Sequence, residues 1–430
     1  MTAAEVFLWG TKIGTVVFDN ETGLGSFEYE PAFLTSRIEV APITMPLSRR
    51  VYTLPELARQ SFHGLPGLLA DSLPDKFGNA VIDAWLRSQR RSPSSFDPVE
   101  RLCYTGSRGM GALEYVPARG PSPAESDSLQ IDRLVQLASD ILRSREDIHV
   151  VISEDAMQEI IRVGTSAGGA RAKAVIAWNP KTGDIRSGQI DAGKGYEYWL
   201  IKFDGVSKNG DKEGEDVPQY TRIEYAYYLM AKEAGLLMSE CRLYEESGLY
   251  HFMTRRFDRD PVTGAKLHMQ SLGGIAHFDF NLPGAYSYEQ AAQVMRQLCL
   301  SNTEICQFFR RMVFNVLARN QDDHVKNVSF LMDRRGGWHL SPAYDMTYAY
   351  NPDGMWTGTH QMTINGKRTD ISRHDLLASG GNMGVKKAEA ERIISEVQAS
   401  MKKWMNYAET ATLRETTAER IQKAFIDIQN

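Results

Sequence analysis

Long apolar runs, paired cysteines, internal repeats and a dominant sign of charge are all missing from this chain. Nowhere do about 18 apolar residues follow one another, and the stretch from Met1 to Phe18 has no basic segment leading into an apolar one, so neither a membrane-crossing helix nor a secretory leader is expected. The four cysteines, Cys103, Cys241, Cys299 and Cys306, form no CxxC pair and stand at no Cys/His ligand spacing. That speaks against a zinc site and against a secreted disulfide framework, and makes a reducing cytoplasm the expected compartment. With 49 basic against 54 acidic residues the net charge is -5, so no bulk field draws the chain onto nucleic acid or an anionic membrane. What is present, 42% hydrophobic and 24% charged residues over 430 positions, is the make-up of a folded globule with room for two or three domains.

The first residues alternate apolar positions around turns: Val6 to Trp9, Gly10-Thr11-Lys12, Ile13 to Phe18, then Asp19-Asn20-Glu21-Thr22-Gly23. This is the pattern of hairpins. Residues 54–85 read as more helical, strand and glycine turns return near 106–115, and the Pro/Ser-rich stretch 117–128 reads as an exposed connection. Beyond it, Ile131, Leu134, Val135, Ala138, Ile141 and Leu142 repeat at helical spacing. Strands are expected at 174–178 and 197–203, a helix at 221–234, hairpins at 241–257 and 328–340, and a mainly helical remainder from Glu289, with one helix over 386–407. The polar, glycine-bearing segment 204–219 fits an activation or substrate loop. The expected units are an α+β subdomain at 1–118, a region at 119–288 carrying a glycine turn and a strand lysine, and a helical lobe at 289–430.

The sharpest constellation is Asn320-Gln321-Asp322-Asp323-His324-Val325-Lys326-Asn327. Asp322 and Asn327 stand five apart, as do the base and the metal-binding amide of a protein-kinase catalytic loop. A second carboxylate for the metal follows a hairpin, at Asp345 in Pro342-Ala343-Tyr344-Asp345-Met346. Two such oxygen ligands suit Mg2+, which favours few carboxylates together with phosphate and water. Taken singly the pair also fits a solvated loop of capping residues, and Asp322-Asp323-His324 alone fits a hydrolytic metal centre.

Lys202 is the one charged residue inside the apolar run Tyr198 to Phe203; such an ammonium needs an anion, and Glu224 on the following helix is a candidate partner beside a phosphate. A lysine reaching solvent from an edge strand would look the same. The run Gly164 to Lys173 has the glycines and hydroxyls that let backbone N–H groups approach phosphate, yet it matches neither a Walker loop nor GxGxxG, and a plain turn would serve equally. Gly106 to Gly111 reads as structural. In order, the chain presents a glycine turn, a strand Lys, a helix Glu, a hairpin, a helix, D-x4-N, a hairpin and an Asp. That is the order of a nucleotide cleft in a kinase, although HRD and APE are missing and Met346-Thr347 follow Asp345.

Over nearly its whole length the chain resembles the HipA-type serine/threonine kinases, the toxin halves of bacterial toxin-antitoxin pairs. The residues that carry the resemblance are Leu8-Trp9, Leu69-Ala70-Asp71-Ser72-Leu73-Pro74-Asp75, the turn at 106–113, Ser166 to Lys173, Trp199 to Phe203, Arg256-Phe257-Asp258-Arg259 and both acidic motifs. The patterns Leu-x-Asp-Ser-x-Pro-Asp and Asp-x-His-x-Lys-Asn are specific to that family. The resemblance implies an α+β, bilobal, protein-kinase-like fold with a β-rich N-terminal subdomain and a mostly helical C-terminal lobe.

It further implies ATP and Mg2+ as cofactors, Asp322 as the catalytic aspartate acting on a Ser/Thr hydroxyl, and Asn327 and Asp345 as metal ligands. Nucleotide contacts are implied for Gly168, Gly169, Ala170, Arg171, Lys173, Lys202 with Glu224 behind it, Arg255, Phe257, His324, Lys326 and Tyr344. Ser166, or Thr165 beside it, falls where members autophosphorylate; a dianion there would repel ATP phosphates or draw the loop outward. The implied partner is a helix-turn-helix, HipB-like antitoxin that binds operator DNA as a dimer and carries the kinase with it, so that DNA contact is mainly indirect. Family members phosphorylate an aminoacyl-tRNA synthetase, which makes such an enzyme one candidate protein substrate. A kinase-like corepressor scaffold without activity and a small-molecule phosphotransferase are the alternatives; no basic or amphipathic face points to lipid or membrane.

Overall fold

The computed structural model describes residues 1–119, 128–144, 154–161, 163–164, 171–189, 192–206, 219–260 and 263–428. Three antiparallel sheets and a C-terminal set of helices make up the molecule. The first sheet contains β1 (Thr2–Leu8), β2 (Thr11–Asp19), β3 (Leu24–Tyr29), β4 (Tyr52–Thr53) and β5 (Leu113–Val116), in the order β4-β3-β2-β1-β5. Its alternation is the one expected of a sheet wet on one face: Val6, Ile13, Val16 and Phe27 are fully buried, whereas Val17 and Glu28 face outward.

The second sheet is formed by β6 (Lys173–Trp178), β7 (Ile185–Ser187), β8 (Glu197–Lys202), β9 (Cys241–Glu246) and β10 (Leu249–Arg255), ordered β7-β6-β8-β10-β9. Lys202 therefore ends a central strand, which excludes the edge-strand reading. The helix Tyr220–Glu233 packs on this sheet. A third, small sheet joins β11 (His268–Ser271), β12 (Ser329–Met332) and β13 (Trp338–Leu340).

Two apolar cores divide the chain differently from its order in sequence. One runs from the first sheet through Ile223, Tyr227 and Met230 into the helices Tyr288–Gln297, Asn302–Leu317 and Lys387–Met401. The other joins Phe77 and Val81 of the helix Lys76–Ser88, together with Ile131 to Leu142, to Ile176, Trp199 and Ile201 of the second sheet. The N-terminal stretch thus feeds both lobes. The helix expected over 386–407 is in fact two, Lys387–Met401 and Trp404–Thr410, separated at Lys402-Lys403. The break turns the apolar stripe so that Trp404 packs edge-on against Tyr227 and Phe425.

Two buried junctions tie the N-terminal stretch to the rest. Asp71 accepts from the backbone N–H and the hydroxyl of Ser271, both at 2.6 Å. Asp258 accepts from the Gly111 N–H at 2.8 Å, from Arg256 at 2.9 and 2.7 Å, and from Arg259 at 2.7 Å. Gly111 has φ +74°, and a Cβ there would stand 3.0 Å from the Met269 nitrogen, so both conformation and close approach require glycine. Gly111 thus serves the structure, while Met110 beside it lines a cleft against the second sheet.

Candidate active site

A cleft of about 650 Å3 lies between the second sheet and the Ala343–Met346 segment, lined by Leu200, Lys202, Glu224, Cys241, Phe252 and Asp345 among others. Lys202 is its electrostatic centre. The ammonium lies 2.6 Å from Glu224 Oε1 and 2.5 Å from Asp345 Oδ1. Burial alone would pull this lysine's pKa down; Asp345 and Glu224 outweigh burial and hold it above its ordinary value. Asp345 in turn is pushed up by burial but held below its ordinary value, chiefly by Lys202. It sits at φ +53°, a conformation rare for a residue with a side chain and found disproportionately at functional sites.

Asp345 and Asn327 reach the same junction. The Tyr344 hydroxyl donates to the Lys326 carbonyl at 2.6 Å and meets the Ser329 hydroxyl at 2.6 Å, so the residues after Tyr344 and Lys326 leave one fixed point. Asn320, whose amide donates to Asn315 Oδ1 at 2.9 Å and to the Asp345 carbonyl at 3.4 Å, closes the junction from the helix side. Asn327 donates its amide N–H to the Asp322 carbonyl at 2.7 Å. An amide oxygen and one carboxylate are a donor set too small to cage a cation unaided, and among the described residues there is no cluster of three His, Cys, Asp or Glu that could. This is the chemistry that fits Mg2+ shared with phosphate oxygens and water.

Asp322 is held by a residue that sequence reasoning missed. The indole N–H of Trp356 donates to Asp322 Oδ1 at 2.6 Å, and His324 Nε2 lies 3.7 Å from the same oxygen. The neighbouring Asp323 points the opposite way, into the lobe, where it accepts from Tyr288 at 2.8 Å and from the Gln361 N–H at 2.7 Å and meets His360 Nδ1 at 2.8 Å. Gln361 passes the anchoring on by donating to the Trp356 carbonyl at 2.5 Å. One carboxylate of the pair is thus structural and braces the segment that aligns the other. A lone tryptophan among the turn residues Asn351-Pro352-Asp353-Gly354 carried no sequence signal for this.

The remaining expected contacts divide. His324 caps the short helical turn Val325–Asn327, its Nδ1 accepting from the Lys326 N–H at 3.2 Å. The Lys326 ammonium lies 4.5 Å from the centre of the Phe280 ring. Arg171 stacks 3.8 Å over the Tyr220 ring, and its charge reaches Glu224. Lys173 is buried beside Asp75 at 3.3 Å. Arg255 and Phe257 both line the cleft. The Arg255 N–H is already given to the Glu240 carbonyl at 2.8 Å, and its guanidinium lies 3.7 Å from Glu197 and 3.8 Å from Glu240. Phe257, its ring 5.6 Å from that of Tyr344, keeps both backbone groups without a hydrogen bond among the described residues. Thr165, Ser166, Gly168, Gly169 and Ala170 lie outside the described residues, as does most of the expected 204–219 loop.

An antiparallel five-stranded lobe with a Lys–Glu pair, set on a mostly helical lobe that carries the acidic loop, defines a two-lobed, kinase-like α+β protein. The chain belongs to the HipA family: residues 165–405 match the HipA-like C-terminal domain and residues 4–116 the HipA N-terminal domain. The fold is that of HipA from Shewanella oneidensis MR-1, determined in complex with HipB and operator DNA, with a TM-score of 0.67 and 16% identity over 98% of this chain and 94% of that one. A Haemophilus influenzae protein provisionally named a kinase is 28% identical over 160 residues, 33% of this chain. A second provisionally named kinase, from Sinorhizobium fredii, is 28% identical over 172 residues, 34% of this chain. The matches span 46% and 36% of those two relatives. No helix among the described residues is long and apolar enough to cross a membrane.

Proposed function

We propose that the protein is an ATP-dependent serine/threonine protein kinase, the toxin of a toxin-antitoxin module acting in the cytoplasm. The observation that carries this reading is the Lys202 ammonium held between Glu224 and Asp345 at 2.6 and 2.5 Å, the electrostatic frame that receives nucleotide phosphates. In this reading Lys202 neutralises phosphate charge, Phe257 offers its free backbone groups to the adenine edge, and Asn327 with Asp345 would hold Mg2+. Bound there, the ion would withdraw charge from the transferring phosphoryl group. Asp322, aligned by Trp356, takes the proton of the acceptor hydroxyl, while His324 and Lys326 face the phosphates. The three units 1–118, 119–288 and 289–430 are proposed as subdomain, nucleotide lobe and catalytic lobe.

The acceptor is proposed to be a protein Ser/Thr, with an aminoacyl-tRNA synthetase as one candidate. The partner is proposed to be a HipB-like, helix-turn-helix antitoxin; the Shewanella relative, crystallised with HipB and operator DNA, supports this choice. A phosphosite comparison of cells with and without the active chain is the test: new Ser/Thr sites on one or a few proteins are expected, and an unchanged phosphoproteome beside a phosphorylated metabolite would replace protein by small molecule. With ATP and Mg2+ the purified chain is also expected to yield a phosphopeptide within residues 164–171, at Ser166 or Thr165. An active enzyme whose peptide stays unmodified would remove autophosphorylation.

Trp356→Phe keeps the ring beside His324 but deletes the donor to Asp322. A hydrogen bond to a charged group is worth about 1.5–3 kcal/mol, so a fall of about 10- to 150-fold in kcat is expected with the KM for ATP unchanged. Steady-state kinetics at varied ATP check it; a rise in KM alone would place Trp356 in nucleotide binding instead.

A further inference from the structure

Two lysines stand side by side in the second sheet. In the β6–β8 ladder Lys173 is the direct partner of Lys202, and both are buried, at 2% and 8% exposure. Residues opposite one another in an antiparallel pair have Cβ atoms about 5 Å apart on the same face, where like charges repel. Such a pair survives burial only if each ammonium has its own anion. Lys202 has two, Glu224 and Asp345, both from the kinase-like body. The carboxylate at Lys173 comes from elsewhere: Asp75, 3.3 Å away, belongs to the N-terminal stretch that precedes the helix Lys76–Ser88.

Asp75 divides its two oxygens between two tasks. Oδ1 accepts from the Gly78 N–H at 2.7 Å and caps the helix. Oδ2 faces Lys173, is buried, and accepts no hydrogen bond. Burial pushes Asp75 above its ordinary value, the charges of Lys173 and Lys326 act against that rise, and Lys173 also acts on Asp345. Asp75 therefore lies in the same field as the groups assigned to the phosphates.

We propose that Asp75 is a stand-in counter-ion: in the nucleotide-free protein it occupies the place at Lys173 that a nucleotide phosphate takes, so the N-terminal subdomain competes with the triphosphate for this lysine. The inference rests on the ATP reading above, in which Lys173 is already a nucleotide contact, and adds to it a carboxylate that opposes binding. Anything that moves the helix Lys76–Ser88 would alter nucleotide affinity through this contact.

Asp75→Asn separates the two tasks, because an amide oxygen still caps the helix while the charge is gone. Removing the Asp75 charge leaves Lys173 with one anion fewer, and a triphosphate then supplies a replacement. The dissociation constant for ATP, measured by calorimetry, is expected to fall about 10-fold, while that for adenosine, which has no phosphate, stays within about twofold. ATP should also raise the melting temperature of the variant by more than it raises that of the parent. In a Lys173→Met background ATP should bind more weakly and Asp75→Asn should have no further effect. Asp75→Ser, which also caps, gives the same readout should the Asn variant fail to fold. Unchanged or weakened ATP binding, an equal gain for adenosine, or the same gain without Lys173 would overturn the proposal. A parent chain that binds neither ATP nor adenosine would instead overturn the nucleotide reading on which it rests.

Discussion

Asp322→Asn is expected to lower phosphate transfer by about 10^3-fold while the dissociation constant for ATP moves by less than about twofold. The structure makes this variant a clean one. An asparagine oxygen can still accept the Trp356 indole N–H, and the backbone carbonyl that receives the Asn327 amide is untouched. Asn327 and Asp345, the groups assigned to the cation, keep their supports in Tyr344 and Asn320. What is lost is the carboxylate's capacity to take a proton. General-base catalysis is worth roughly 10^2 to 10^4, so a single-turnover assay with labelled ATP reads the effect without ambiguity from product release. Equal rates for parent and variant would remove Asp322 from the chemistry and leave the corepressor scaffold as the better description. Loss of ATP binding together with activity would move Asp322 into the metal site.

The acidic loop stood out in the sequence for its spacing, an acid, four intervening residues, an amide, then a hairpin and a second acid, which is the spacing that the proposed chemistry asks for. The strand bearing Lys202 was legible for a different reason, since one cation inside an apolar run must find an anion, and Glu224 was the nearest one on a helix of the right phase. Elements with strong periodicity, such as the helix Ile131–Ser144 and the hairpin of β9 and β10, fell within a few residues of their expected limits. The short strand β11 was not read, because His268 to Ser271 acquires its strand character only by pairing with β12, about 60 residues on. Trp356 and Asp75 gave no sign of their contacts for the same reason: their partners are set by tertiary contact, 34 residues away for Trp356 and on a strand of the second sheet for the helix-capping Asp75. In sequence, Asp322-Asp323-His324 taken alone also fitted a hydrolytic metal centre. The loop after the helix Asn302–Leu317 turns one side chain to the Trp356 indole and the other to Tyr288, His360 and Gln361 inside the lobe.

Asp258→Ala is expected to be the most destabilising single change described, by about 3–5 kcal/mol. The residue is fully buried, and its carboxylate is the shared acceptor for Arg256, Arg259 and the Gly111 N–H. Alanine would leave two buried guanidinium groups with no counter-charge and cut the bond that ties the 106–111 turn to the segment after β10. Urea denaturation at neutral pH measures the loss as a fall in midpoint at similar slope. The same carboxylate sets a pH dependence. Burial pushes Asp258 up, but Arg256 and Arg259 outweigh it and hold the group well below the usual carboxylate range. A folded-state pKa below the unfolded one means that the contribution is whole above the unfolded value, about 3.9, and is lost as the pH falls from there toward the folded value. The parent should therefore lose stability steeply below about pH 4, and the difference between parent and Asp258→Ala should narrow over that range. A difference that stays constant on acidification would show that the alanine acts through lost packing, with the ion pairs to Arg256 and Arg259 contributing little.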